Sequence, residues 1–212
     1  MPDPDAKRVS LSAARESLAR PLDFADFLAK LAPKDRVSAE KRVAALEAGP
    51  DPTRAHLWRR LACSLMTLAP HAAKLVGQQT VQFYVPDGKY RMQVFALEDL
   101  QDGQITVYCP DVLEAAQRAG VLGKSTRLPG QPEEVDARVY AVGPAKEPLR
   151  VETLDKNSTN PAAHFKDMVG WNRRALRITL PPSASPALAE VVEMLCAIAS
   201  QRFAKATPAT PS

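Results

Sequence analysis

The chain has 212 residues, enough for one sizeable hydrophobic core or for a small helical unit beside a sheet unit. Its 45% hydrophobic and 25% charged content is that of an ordinary folded protein, and a formal charge of +4 falls well short of a nucleic-acid-coating tail. No apolar run reaches the length of about eighteen residues that reads as a membrane span, and MPDPDAKRVS lacks the apolar region of a secretory signal.

Residues 1–9 read as a loose arm. LSAARESLAR and PLDFADFLAKL then predict two short helices parted at Pro21, since proline removes a donor and clashes with the preceding turn. Phe24, Phe27, Leu28 and Leu31 form the apolar stripe of the second, with Pro33 as its stop. Ser38 is placed to cap a third helix through Val43 and Leu46, ended by Gly49. Asp51-Pro52 opens TRAHLWRRLACSLMTLA, with Leu57, Leu61, Leu65 and Leu68 along one side. Pro70 interrupts it, and Gly77 marks the switch into a sheet.

Thr80 to Cys109 carries the most regular pattern, TVQFYV, YRMQVFALE and QITVYC, three strands joined by the turns at Asp87-Gly88 and Asp102-Gly103. Val81, Phe83 and Val85 share one face, with Gln82 and Tyr84 on the other. In the second strand Tyr90, Met92, Val94 and Ala96 alternate with Arg91, Gln93, Phe95 and Leu97. Both faces are partly apolar, so this strand is expected to be central and covered on both sides, with Phe83 and Met92 buried and Lys89 exposed at the hairpin tip.

Asp111 can cap the short helix VLEAAQRAG, which Gly120 ends. Residues 121–136 show no periodicity and read as a loop. ARVYAV (137–142) and PLRVETL (148–154) predict two more strands, followed by the polar loop DKNSTNP and one or two helical turns in HFKDMVGW. RRALRITL predicts a strand with Leu176, Ile178 and Leu180 inward. Ser185-Pro186 then opens a long helix whose apolar face is Leu188, Val191, Val192, Leu195, Ile198 and Ala199, with Glu190, Glu193 and Gln201 toward water. No internal repeat is visible.

Helices first, strands in the middle and a closing helix predict an α+β fold, with N-terminal helices followed by a mainly antiparallel sheet covered by a long C-terminal helix. Links too short for right-handed crossovers make the first strands an antiparallel meander. The expected organisation is one unit over 10–205, divisible into helices (10–76) and sheet (77–205), with 206–212 as a disordered tail.

Sites of known chemistry are mostly missing. LGKST at 122–126 lacks the upstream glycines of a phosphate-binding loop and follows a helix rather than a strand. There is no GxGxxG, no GxSxG, no HExxH and no CxxC, so no cofactor and no metal is expected. The three cysteines, Cys63, Cys109 and Cys196, lie apart in apolar segments and read as buried, reduced thiols in the cytoplasm. Glu98, Asp99, Asp102 and Asp111 cluster by sequence without the spacing of a calcium loop.

Of the three histidines, His56 opens a helix and His71 follows Pro70, while His164 sits just beyond a polar loop. A histidine titrating near neutrality with Asp155 and Ser158 close by would make a catalytic site of hydrolase or transferase type. Lys166, Arg173, Arg174 and Arg177, with Trp171 among them, would make a phosphate-contacting edge, and with it a weak nucleic-acid surface. The bland alternative is that these arginines anchor Glu152 and Asp155. Neither set carries a specific motif. The leading expectation is therefore a cytoplasmic accessory or ligand-binding protein, working through a sheet–helix groove or an interface with a protein partner or a second copy, and not a membrane.

Overall fold

Side-chain caps start the first two helices. The computed structural model describes residues 10–20, 23–69, 72–76, 80–87, 90–97, 104–108, 112–131, 135–154, 175–181 and 184–203. Ser10 accepts from the Ala13 amide at 3.2 Å and starts α1 (Leu11–Leu18), while Asp23 accepts from the Asp26 amide at 2.8 Å and starts α2 (Phe24–Lys30). Helix α3 (Pro33–Glu47) corrects the reading of Pro33 as a stop and of Ser38 as a cap. Proline occupies the first turn, where its missing N–H costs nothing, and Ser38 lies inside the helix with its hydroxyl donating to the Lys34 carbonyl at 3.2 Å. Arg36 reaches back and donates from Nε to the Leu28 carbonyl at 3.0 Å, satisfying the end of α2.

Asp51 accepts from the Thr53 amide at 3.2 Å and opens α4 (Thr53–Leu68). This helix buries Trp58, Leu61, Leu65 and Met66. Trp58 stands edge-on to Phe24 and Phe27, with ring centroids 6.1 and 5.8 Å away, so α2 is pinned to α4 by an aromatic cluster.

The strands are β1 (Ala72–Val76), β2 (Thr80–Asp87), β3 (Tyr90–Leu97) and β4 (Gln104–Val107), then helix α5 (Val112–Arg118). Next come β5 (Ser125–Arg127), β6 (Asp136–Val142), β7 (Glu147–Leu154) and β8 (Ala175–Thr179), and finally α6 (Pro186–Phe203). The eight described strands form one sheet in the order β1-β2-β3-β4-β8-β7-β6-β5, and every pairing among them is antiparallel. The fold is α+β, with N-terminal helices, a central antiparallel sheet and a C-terminal helix. It also holds a topological repeat that no sequence repeat announces: two four-stranded meanders, each followed by a helix, meet where β4 pairs with β8.

Two strands were not legible in the sequence. β1 precedes the predicted meander, and β5 lies inside the stretch 121–136 that reads as a loop. β5 forms because the chain is tied to β6 at both ends: Lys124 accepts from the Ala141 amide at 3.2 Å, and the Leu128 amide donates to Ala137 at 2.9 Å.

The face assignment of β3 needs another correction. Phe83 faces Phe95 while Tyr84 faces Gln93, so Val94 is an extra residue, a β-bulge. The bulge shifts the alternation by one. Val94 therefore joins Phe95 and Leu97 in the helix-covered core, and that is why both sides of the strand look apolar in sequence. Phe83 is fully buried, as expected. The side chains of Met92 and Lys89 lie outside the described residues.

Leu176, Ile178 and Leu180 point into the same core as Leu188, Val192 and Leu195 of α6. Glu193 does not face water as its spacing suggests. It is 8% exposed and receives Arg60 of α4. Helix α1 packs on α6 through Ala14, Met194 and Ala197, and the Gln201 amide donates to the Ser10 carbonyl at 3.1 Å.

Candidate functional site

Strand alternation and cross-strand register divide the sheet into two faces. One carries Val81, Phe83, Phe95, Leu97, Ile105, Val107, Leu176, Ile178 and Val151, all in the cluster shared with the helices. On the other face, among the described residues, no helix packs. Its buried apolar members are small or amphipathic: Ala96, Tyr108 and Ala175 form their own cluster.

One row crosses this second face. Gln82 pairs with Ala96, Ala96 with Thr106, Thr106 with Arg177, and Arg177 with Glu152. A second row places Tyr84 beside Gln93, whose amide donates to the Tyr108 hydroxyl at 3.2 Å. The Tyr84 hydroxyl donates to the side-chain amide oxygen of Gln82, which joins the rows. Thr106 is fully buried, and Gln82, Tyr84 and Gln93 are half-buried. The bulge at Val94 is what turns Gln93 to this side.

Arg177 sits in the middle, its Nη1 4.0 Å from Glu152 Oε2, with both side chains 13% exposed. Arg150 donates to the other oxygen of Glu152. Glu152 is thus held between two guanidinium groups. Such anchoring is what the sequence offered as the alternative to phosphate contact, and Arg177 stands within ion-pair distance of Glu152. The row brings together amide, hydroxyl and guanidinium donors with carboxylate and amide acceptors, and Tyr84, Thr106, Tyr108 and Arg177 are all engaged in interactions.

The other sequence-derived candidates are His164, Asp155 and Ser158 of the catalytic set, and Lys166, Trp171, Arg173 and Arg174 of the phosphate set. All lie outside the described residues, as do His71, Cys109 and the carboxylates Glu98, Asp99, Asp102 and Asp111. His56 is exposed on α4. The GKST stretch is built into the edge of the sheet: Gly123 donates to the Ala141 carbonyl at 3.2 Å, and Ser125 begins β5. No group of three or more His, Cys, Asp or Glu is placed to hold a metal among the described residues. None of the described helices is long and apolar enough to cross a membrane.

The thiols Cys63 and Cys196 are buried, free, and remote in kind from a nucleophile. Burial first, then Asp23 and Asp26, push Cys63 up to about 11, and burial raises Cys196 as well. Gln82, Tyr84, Gln93, Thr106 and Tyr108 were not singled out by the sequence as a site. The polar side of the β2 alternation was the one available signal. No family model, curated protein or solved structure matches the chain.

Proposed function

We propose that the chain is a cytoplasmic binding protein that holds a polar ligand or partner surface against the sheet face on which no described helix packs. The observation that carries this reading is the row Gln82, Thr106, Arg177 and Glu152, flanked by Tyr84, Gln93 and Tyr108. Paired charges, amides and phenols on one rigid sheet discriminate by hydrogen bonding, because a wrong partner leaves their polar groups unpaired. The charge of Arg177 is already shared with Glu152, which favours neutral or mixed-charge groups over a bare phosphate backbone. Recognition by a broad apolar patch has less support: Val37, 49% exposed, is the large hydrophobic side chain found exposed among the described residues.

The test is site-specific photocrosslinking in cells, with a benzophenone amino acid replacing Gln93 or Tyr84 and, as control, the exposed Lys41 of α3. Adducts to a defined molecule at the two sheet positions, with none at Lys41, are the expected result. Yields at Gln93 and Tyr84 no higher than at Lys41 would overturn the reading.

A further inference from the structure

The two edges of the sheet are not equivalent. At β1 the outward amide of Leu75 is taken by the Asp35 carboxylate at 3.4 Å, and α3 lies against the strand. At β5 nothing comparable exists among the described residues. Lys124 and Leu128 bond to β6, so by alternation the backbone groups of Ser125 and Arg127 point away from the sheet, where no partner meets them among the described residues. The strand is the last of its sheet. Lys124, Thr126 and Arg127 are exposed, and neither Lys124 nor Arg127 forms an ion pair among the described residues. Arg138 beside them is already held by Asp136 at 3.0 Å.

We infer that the open edge of β5 is a strand-addition site for an extended acidic peptide, distinct from the polar sheet face. An added strand supplies acceptors and donors to Ser125 and Arg127 through its backbone, and its acidic side chains meet Lys124 and Arg127. A second copy of the chain fits the edge poorly, because two-fold pairing brings a second Lys124 and Arg127 onto the same seam. Gly123 sets the entry to this edge. A Cβ there would lie 2.7 Å from the Ala141 carbonyl oxygen, so glycine lets the chain close onto β6 and leave its other side bare.

The probe is a fluorescein-labelled valine-rich peptide carrying glutamates on both strand faces, because Lys124 and Arg127 lie on opposite faces of the sheet, titrated into the full chain by fluorescence anisotropy. Two controls accompany it: the same peptide with lysine for glutamate, and a version N-methylated at alternate backbone amides. Saturable binding of the glutamate peptide alone is expected, with slowed hydrogen exchange at the Ser125 and Arg127 amides and no change at Leu75. Arg127→Glu is expected to weaken binding by about tenfold. Ser125→Pro keeps the charges but removes an outward donor, and is also expected to weaken it. Several results would overturn the inference: no binding, binding that survives N-methylation or Arg127→Glu, binding without protection at Ser125 and Arg127, or a doubling of mass that the peptide does not reverse.

Discussion

Arg60 of α4 donates through Nε and Nη2 to the two carboxylate oxygens of Glu193 on α6, at 2.6 and 3.0 Å. Ser64, one turn along α4, adds a contact of 3.2 Å to the same carboxylate. Arg60 carries part of its side chain to the surface, 32% exposed against 9% for Glu193. Removing the arginine leaves the carboxylate buried with a single hydroxyl. Arg60→Ala is therefore expected to destabilise by about 1–3 kcal/mol, less than the loss of a fully buried pair because water can reach the gap. The double replacement Arg60→Met with Glu193→Leu is expected to recover most of that loss. Urea denaturation of the single and double variants checks both. An Arg60→Ala change within about 0.5 kcal/mol of wild type would show that the pair does not join the helices.

The buried acids predict an alkaline weakness. Cys63 moves from its ordinary 9.0 up to about 11, burial also raises Cys196, and burial is the chief cause of the rise at Tyr140. In each case the fold favours the protonated form. The resulting stability is complete below the unfolded value, near pH 9 for the thiols, and is lost as pH climbs through the higher folded values. The urea midpoint is expected to fall steadily above about pH 9, and Cys63→Ala to flatten part of that fall. A midpoint constant to pH 11 in wild type would refute it.

Native Cys63 and Cys196 are likewise expected to react slowly with a thiol reagent at neutral pH and promptly in urea, since the reactive thiolate is suppressed and access is closed. Rapid labelling of both in the native protein contradicts this.

Two glycines separate backbone strain from crowding. Gly120 has φ +75 with open space around it, whereas an added Cβ at Gly123 meets the Ala141 carbonyl oxygen at 2.7 Å. Gly120→Ala is expected to cost about 1 kcal/mol, and Gly120→Asn clearly less, because asparagine tolerates the left-handed region. Gly123→Ala is expected to cost about 1–3 kcal/mol, with no relief from asparagine. Thermal denaturation of the four variants compares them. Equal costs for Ala and Asn at position 120 would argue against the conformational cause.

Leu195 is fully buried in α6, in the cluster that holds Ile178 and Val94. Leu195→Ala is expected to cost about 2–5 kcal/mol through lost transfer energy and a cavity. The value should be the same at low and high protein concentration, since α6 covers this chain's own sheet. A loss under about 1 kcal/mol, or one that shrinks with concentration, would move the helix elsewhere.

The elements legible in the sequence are those set by local pattern. Phe83 and the trio Leu176, Ile178 and Leu180 follow strand alternation, and Ser185 accepts from the Leu188 amide at 3.2 Å as a cap should. Features set by distant contacts were hidden. Glu193 has the spacing of a solvent-facing residue and is buried because Arg60, far away in sequence, meets it. The Val94 bulge breaks the period-two rule inside an otherwise regular strand. Five-residue β1 and three-residue β5 are too short to show a period at all. Of the site, Arg177 was reachable from its charge. The row it belongs to depends on β8 lying between β4 and β7, which no local pattern dictates.

That same insertion orders the folding events. Within each meander the pairings β1–β2–β3–β4 and β5–β6–β7–β8 join neighbours along the chain, so their loops close cheaply. The seam between β4 and β8, where Ile105 faces Ile178, joins segments far apart in the chain and is expected to form after both meanders. Ile105→Val and Ile178→Val should therefore speed unfolding while leaving the refolding rate nearly untouched, a difference stopped-flow kinetics resolves. A refolding rate that falls in step with stability would place the seam in the nucleus instead. With a late seam, the kinetic lifetime of the native protein is governed by the zipper between its two halves rather than by either half alone.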